Sequence, residues 1–237
     1  MKKIKILPFL LLFSFAMKVN AASGIEKQPL PSGVLVRNIG NWEAWEIDFK
    51  SGETETKTND PANSQVDVQA EVYSRPQKAI IIRTAPFWYA NISGRKNANL
   101  EFWSNGGDII SKPKQSEDTT FIAAAPPDVD NRVTSEFLYA LTKGRFPAVE
   151  WVGPKTYLGI QDIGKTPCMV FQKDDTTVWI DVSARVPVVW KKGDEIRIFK
   201  QLDAPSAMIK LPAVLEAARQ KEKKVKAFLS SPAPRGG

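Results

Sequence analysis

Five apolar segments in the second half of the chain, Lys155–Gln161, Cys168–Gln172, Thr176–Val182, Val186–Trp190 and Glu195–Lys200, are separated by only three to six residues. Connections that short can join only sequential neighbours, so the segments predict an antiparallel meander. Gly164, Asp174-Asp175, Ser183 and Gly193-Asp194 supply the turn chemistry between them. A sheet built this way needs a second layer over its apolar face, and the rest of the chain has to provide it.

Upstream the same rhythm recurs. Val34–Arg37, Trp42–Phe49, Val66–Tyr73, Ala79–Arg83, Phe87–Ile92, Leu100–Trp103 and Ile109-Ile110 read as strands, with Trp45, Ile47 and Phe49 on one face at period two. Turns are expected at Ser93–Asn97 and at Asn105–Asp108, and residues 54–64 read as a polar loop. One interior helix is expected at Asn131–Lys143, where Val133, Phe137 and Leu141 recur every four residues and Gly144 offers the left-handed terminator. A terminal helix begins near Pro212 and carries Val214, Leu215, Ala218, Val225 and Leu229 on one stripe. Residues 231–237 are a Pro/Gly tail with little to bury. The fold class that follows is β-dominated α+β: an open antiparallel sheet or half-barrel with one helix across its concave face and a second at the C-terminus.

The N-terminus carries an address. Lys2, Lys3 and Lys5 precede an apolar run from Ile6 to Met17, which ends at Val19-Asn20-Ala21. A charged start, a core too short to span a bilayer and small residues before the cut predict a signal peptide at residues 1–21, cleaved after Ala21. Cysteine does not follow the cut, so a lipid-anchored form is not indicated. Sec-type export places the product in the periplasm or outside the cell, with residues 22–230 as a single globular domain and no transmembrane segment after cleavage.

Charge and composition exclude several chemistries. The formal charge of +7 concentrates at the two ends: Lys2, Lys3, Lys5 and Lys18 leave with the leader, and Arg219, Lys221, Lys223, Lys224, Lys226 and Arg235 follow Ala218. The body between them has a slight excess of acid, which argues against a nucleic-acid partner. With no histidine, neither a Ser-His-Asp triad nor an imidazole zinc site can form. No metal or cofactor is indicated. Cys168 is the single cysteine, so no intramolecular disulfide exists, and its place in the apolar run Pro167–Phe171 marks it as a buried strand residue.

The segment Thr177–Val188, reading TVWIDVSARVPV, is strand, turn and strand, with Asp181 and Ser183 able to bond turn amides and Pro187 at the start of the next strand. Together with Cys168–Gln172 and Glu195–Lys200 it resembles the later strands of LolA-like lipoprotein carriers, over roughly residues 148–202. The resemblance implies an incomplete β-barrel whose apolar concave face, covered by helices, holds acyl chains in transit. It supplies framework positions such as Trp179, Asp181 and Pro187 and no ligand residue.

Ligand candidates come from the residues themselves. Trp45, Trp88, Trp103 and Trp179 lie in strand patterns, and Phe137 and Leu141 lie on the interior helix. Each can line an apolar site or simply fill a core. The lysines of the terminal helix can meet anionic lipid headgroups, although a solvated polar face is the ordinary fate of such a helix. The favoured function is a non-catalytic exported carrier of lipoprotein acyl chains or another apolar ligand. The alternatives are a cell-envelope module binding a protein or polysaccharide, and a hydrolase using two converging carboxylates.

Overall fold

The computed structural model describes residues 24–51, 76–94, 99–104, 109–113, 120–122 and 140–230. The leader, the 54–64 loop, Val66–Tyr73, the turn residues 95–98 and 105–108, Phe137 with most of the interior helix, and the 231–237 tail lie outside the described residues.

Among the described residues, eleven strands form one antiparallel sheet. They are β1 (Trp42–Lys50), β2 (Pro76–Thr84), β3 (Phe87–Gly94), β4 (Asn99–Ser104), β5 (Ile109–Pro113), β6 (Thr120–Ile122), β7 (Tyr157–Ile163), β8 (Thr166–Lys173), β9 (Thr176–Asp181), β10 (Pro187–Lys192) and β11 (Glu195–Leu202). The order across the sheet is β6-β5-β4-β3-β2-β1-β11-β10-β9-β8-β7. Two meanders, β1 to β6 and β7 to β11, therefore join where β1 pairs with β11, from Ala44 opposite Leu202 to Lys50 opposite Ile196. β6 and β7 end the order, so the sheet is open rather than a closed barrel. The five strands expected from residues 155–200 are all present. Helix α1 (Ala213–Ser230) follows the sheet. Two expectations change: Val34–Arg37 is not a strand, and the short strand Thr120–Ile122 was not anticipated.

Period-two alternation divides the side chains between two faces. The main face carries Trp45 and Ile47, Ala79 and Ile81, Trp88, Ala90 and Ile92, Leu100 and Phe102, and across the β1–β11 seam Phe199, Trp190, Val178, Ile180, Met169 and Phe171, all in one cluster. Over it lie the last turn of the interior helix with Leu141, the segment after it and the N-terminal segment, which bury Phe146, Ala148, Val149 and Ile39 in the same cluster. Phe146 meets the Trp45 ring edge-on at 4.8 Å. Arg197 is the buried cation of this face, stacked 4.1 Å from the Trp190 ring and paired with Glu195 at 2.8 Å.

Two polar devices fasten that cover. Gly144 takes φ +66°, the left-handed terminator expected of it, with its N–H bonded to Leu141 O at 2.8 Å and Arg145 N to Ala140 O at 2.9 Å. Its carbonyl accepts Ile39 N at 2.8 Å, and a Cβ there would collide with the Arg83 guanidinium, which itself donates to Ile39 O. Beside it, Arg37 grips both oxygens of Glu43 at 3.0 and 2.9 Å, and Gly40 N and Trp45 Nε1 add bonds at 2.9 and 3.1 Å. Burial pushes the Glu43 carboxyl up, but the bonds from Arg37, Gly40 and Trp45 together outweigh it and hold the group below the ordinary glutamate value. Its contribution to stability is present above that ordinary value and fades as pH falls through the lowered one.

Cys168 is fully buried, with Sγ 3.4 Å from Thr166 O. Burial, joined by the charges of Asp181 and Asp162, pushes its thiol up to about 12. Since the thiolate is the reactive form, we expect an alkylating reagent at pH 8 to leave Cys168 unmodified in the folded protein and to label it fully in denaturant. Rapid labelling of the folded protein, followed by mass spectrometry, would contradict this placement.

Candidate apolar binding site

Over the first strands, the second face of the sheet is covered by the chain that leaves β11. Residues 203–212 cross the ends of the first strands and are tied down at two points: Trp42 Nε1 donates to Pro205 O at 2.6 Å, and Ile209 N donates to the buried Thr84 hydroxyl at 2.9 Å. Pro212 then precedes α1, and its carbonyl accepts the first helical bond from Glu216 N at 3.0 Å. The opening of the helix brings Leu215, 1% exposed, onto Trp103 and Ile110, with Tyr89, Ile209 and Leu211 packed around them. β3 to β5 are thus apolar on both sides: adjacent Phe102 and Trp103 are both buried, one facing each way.

This cover does not close completely. A cavity of about 360 Å³ remains between the ends of β3 and β4, residues 208–211 and the start of α1. Phe87, Trp103, Ile110, Ile209 and Leu211 supply its apolar walls, with Trp88, Ser104 and Met208 beside them. Lys210, Glu216 and Arg219 supply its charges. Arg219 lies 3.6 Å from Glu216, whose other oxygen accepts Gln220 Nε2 at 2.7 Å. One carboxylate therefore stands in the lining, whereas a glycosidase-type mechanism needs two facing each other. Among the described residues no group of three or more Cys, Asp or Glu side chains converges to hold a metal ion.

A second cavity of about 350 Å³ lies between the N-terminal segment and the cover of the main face, lined by Leu35, Val36, Phe146 and Val149 but also by Arg37, Arg145 and Glu150. Its charged rim makes it the poorer host for an apolar molecule.

The candidate tryptophans separate into three environments. Trp88 and Trp103 both border the first cavity, Trp103 from the second face and Trp88 from the strand whose main-face cluster it joins. Trp45 and Leu141 lie in the main cluster at 2% and 3% exposure, filling core. Trp179 points to the second face, opposite Val170, with Nε1 bonded to Gln161 Oε1 at 2.8 Å, remote from both cavities. Sequence reasoning missed Ile110, Ile209 and Leu211. Ile109-Ile110 carried one signal for them, because two consecutive apolar residues in a strand imply that both faces are covered.

The residues around Asp181 serve the turn. Its Oδ1 accepts from Ser183 N at 2.6 Å, Ser183 Oγ at 2.7 Å and Ala184 N at 2.8 Å. Partial burial pushes its carboxyl up, yet the bonds from Ala184 and Ser183 outweigh that and keep it below the ordinary aspartate value. We expect Asp181→Ala to lower unfolding free energy by about 1 kcal/mol, a modest figure because the turn faces solvent, and to leave ligand affinity unchanged. Urea melts paired with a binding assay check this, and intact stability with lost binding would contradict it.

No family model matches the chain, and neither does any curated protein. Among solved structures it is similar to the Mycobacterium tuberculosis lipoprotein LppX, at 11% identity and a TM-score of 0.36 over 71% of this chain and 88% of that one. It is also similar to LprF from Mycobacterium bovis, at 12% identity and a TM-score of 0.35 over 72% and 89% of the two chains. Likeness that distant decides neither ligand nor mechanism.

Proposed function

We propose that the protein is an exported, non-catalytic carrier of an apolar ligand, and that a single acyl chain held between β3–β5 and the start of α1 is the best fit. The observation that carries this reading is the cavity itself: about 360 Å³, walled by Phe87, Trp103, Ile110, Ile209 and Leu211, within the usual size of small-ligand sites. Each square ångström of apolar surface that the ligand hides there is worth roughly 25 cal/mol, offset by the cost of ordering the chain. The export signal at residues 1–21 and the LolA-like pattern of residues 148–202 support the same reading. They would bring such a carrier into contact with envelope lipids.

The test is a titration of delipidated protein with a dansyl-labelled fatty acid. The expected result is one saturable site per chain with a dissociation constant of about micromolar order, displaced by unlabelled fatty acid. Absence of saturable binding would overturn the proposal.

A further inference from the structure

Among the described side chains of helix α1, Leu215 in the first turns is the buried one. Leu215 is 1% exposed, but Val214 is 75% and Val225 50% exposed. The two valines of the expected stripe therefore face solvent, one in the first turn and one further along the helix. Val214 and Val225, about three turns apart, fall on nearly the same side of the helix. Lys221 stands on that side and Lys224 is about a quarter turn away, and both are solvent-exposed, as is Lys223. Of the acidic residues in α1, Glu216 already faces Arg219 near the body, leaving Glu222 as the single acid of the outer turns.

We infer that the exposed side of α1, running from Val214 to Val225, is a docking surface for an anionic lipid bilayer. An apolar strip flanked by long cationic side chains suits an interfacial helix: the valines enter the headgroup boundary while the lysines extend to phosphates beside them. The lysines are the complement of a negative rather than a neutral surface. The basic excess of this helix against a slightly acidic body also orients the molecule, turning α1 toward the negative surface. The cavity opens beside the same helix, at Glu216 and Arg219. Docking does not require that cavity to be occupied, so either proposal can fail without the other.

Flotation with vesicles tests the inference, using the protein purified after export. Binding is expected to vesicles containing phosphatidylglycerol and to be far weaker with phosphatidylcholine alone, and it should fall as salt rises. The double variant Lys221→Gln/Lys224→Gln should lose about 30-fold in partitioning, near 1 kcal/mol for each cation, with no change in melting temperature because both side chains are exposed. Val225→Asp should reduce binding further. Equal binding to neutral and anionic vesicles, no binding to either, or an unaltered double variant would overturn the inference. So would salt-insensitive self-association through α1 that persists without lipid.

Discussion

Replacing Trp45 with alanine is expected to lower the free energy of unfolding by about 3–5 kcal/mol, a large share of the ~5–15 kcal/mol that holds a domain together. Trp45 sits on β1 between Ile81 and Gln201 of the neighbouring strands, at the seam where the two meanders meet. Its ring is 2% exposed, meets Phe146 edge-on at 4.8 Å and lies 6.0 Å from the Arg37 guanidinium. Truncation would leave a cavity the rigid sheet cannot collapse, and would take one donor from Glu43. Guanidinium denaturation measures the effect. Ligand affinity should survive under conditions where the variant is folded. A variant of normal stability that had lost its ligand would instead place the site on the main face.

The second large effect is on binding. Leu211→Asp should weaken acyl-chain affinity about 100-fold, because the ligand would have to cover a carboxylate that water now solvates. Leu211 is partly exposed and packs on Trp103, Ile110 and Leu215 from outside the sheet, so the fold tolerates the change better than it would at Ile110, which is 3% exposed. A melt taken alongside the titration separates loss of binding from loss of structure. Trp179→Phe is the matching control. Its indole bonds Gln161 away from the cavity, so affinity should be unchanged.

Why the sheet could be read from sequence and the site could not is visible in particular residues. Alternation such as Trp88, Ala90 and Ile92, and turns such as Lys173–Asp175, are local and encode β3 and the β8–β9 hairpin directly. Gly144 marked a helix end for the same reason. The cavity depends on contacts far apart in the chain: Trp42 with Pro205, Thr84 with Ile209, Trp103 with Leu215. No periodicity links those pairs. Helix α1 shows the opposite failure. Its spacing gave an apolar stripe, but spacing cannot say which of those residues find a partner, and among the described ones Leu215 is buried while Val214 and Val225 face solvent.

The most direct test of the carrier reading is photo-crosslinking with a fatty acid bearing a diazirine near the end of its chain, followed by peptide mapping. The carrier account predicts labels on residues lining the cavity, in β3 to β5, at residues 208–211 and in the first turns of α1, competed away by unlabelled fatty acid. Labels confined to the main face, around Trp45, Leu141 and Phe146, would contradict it.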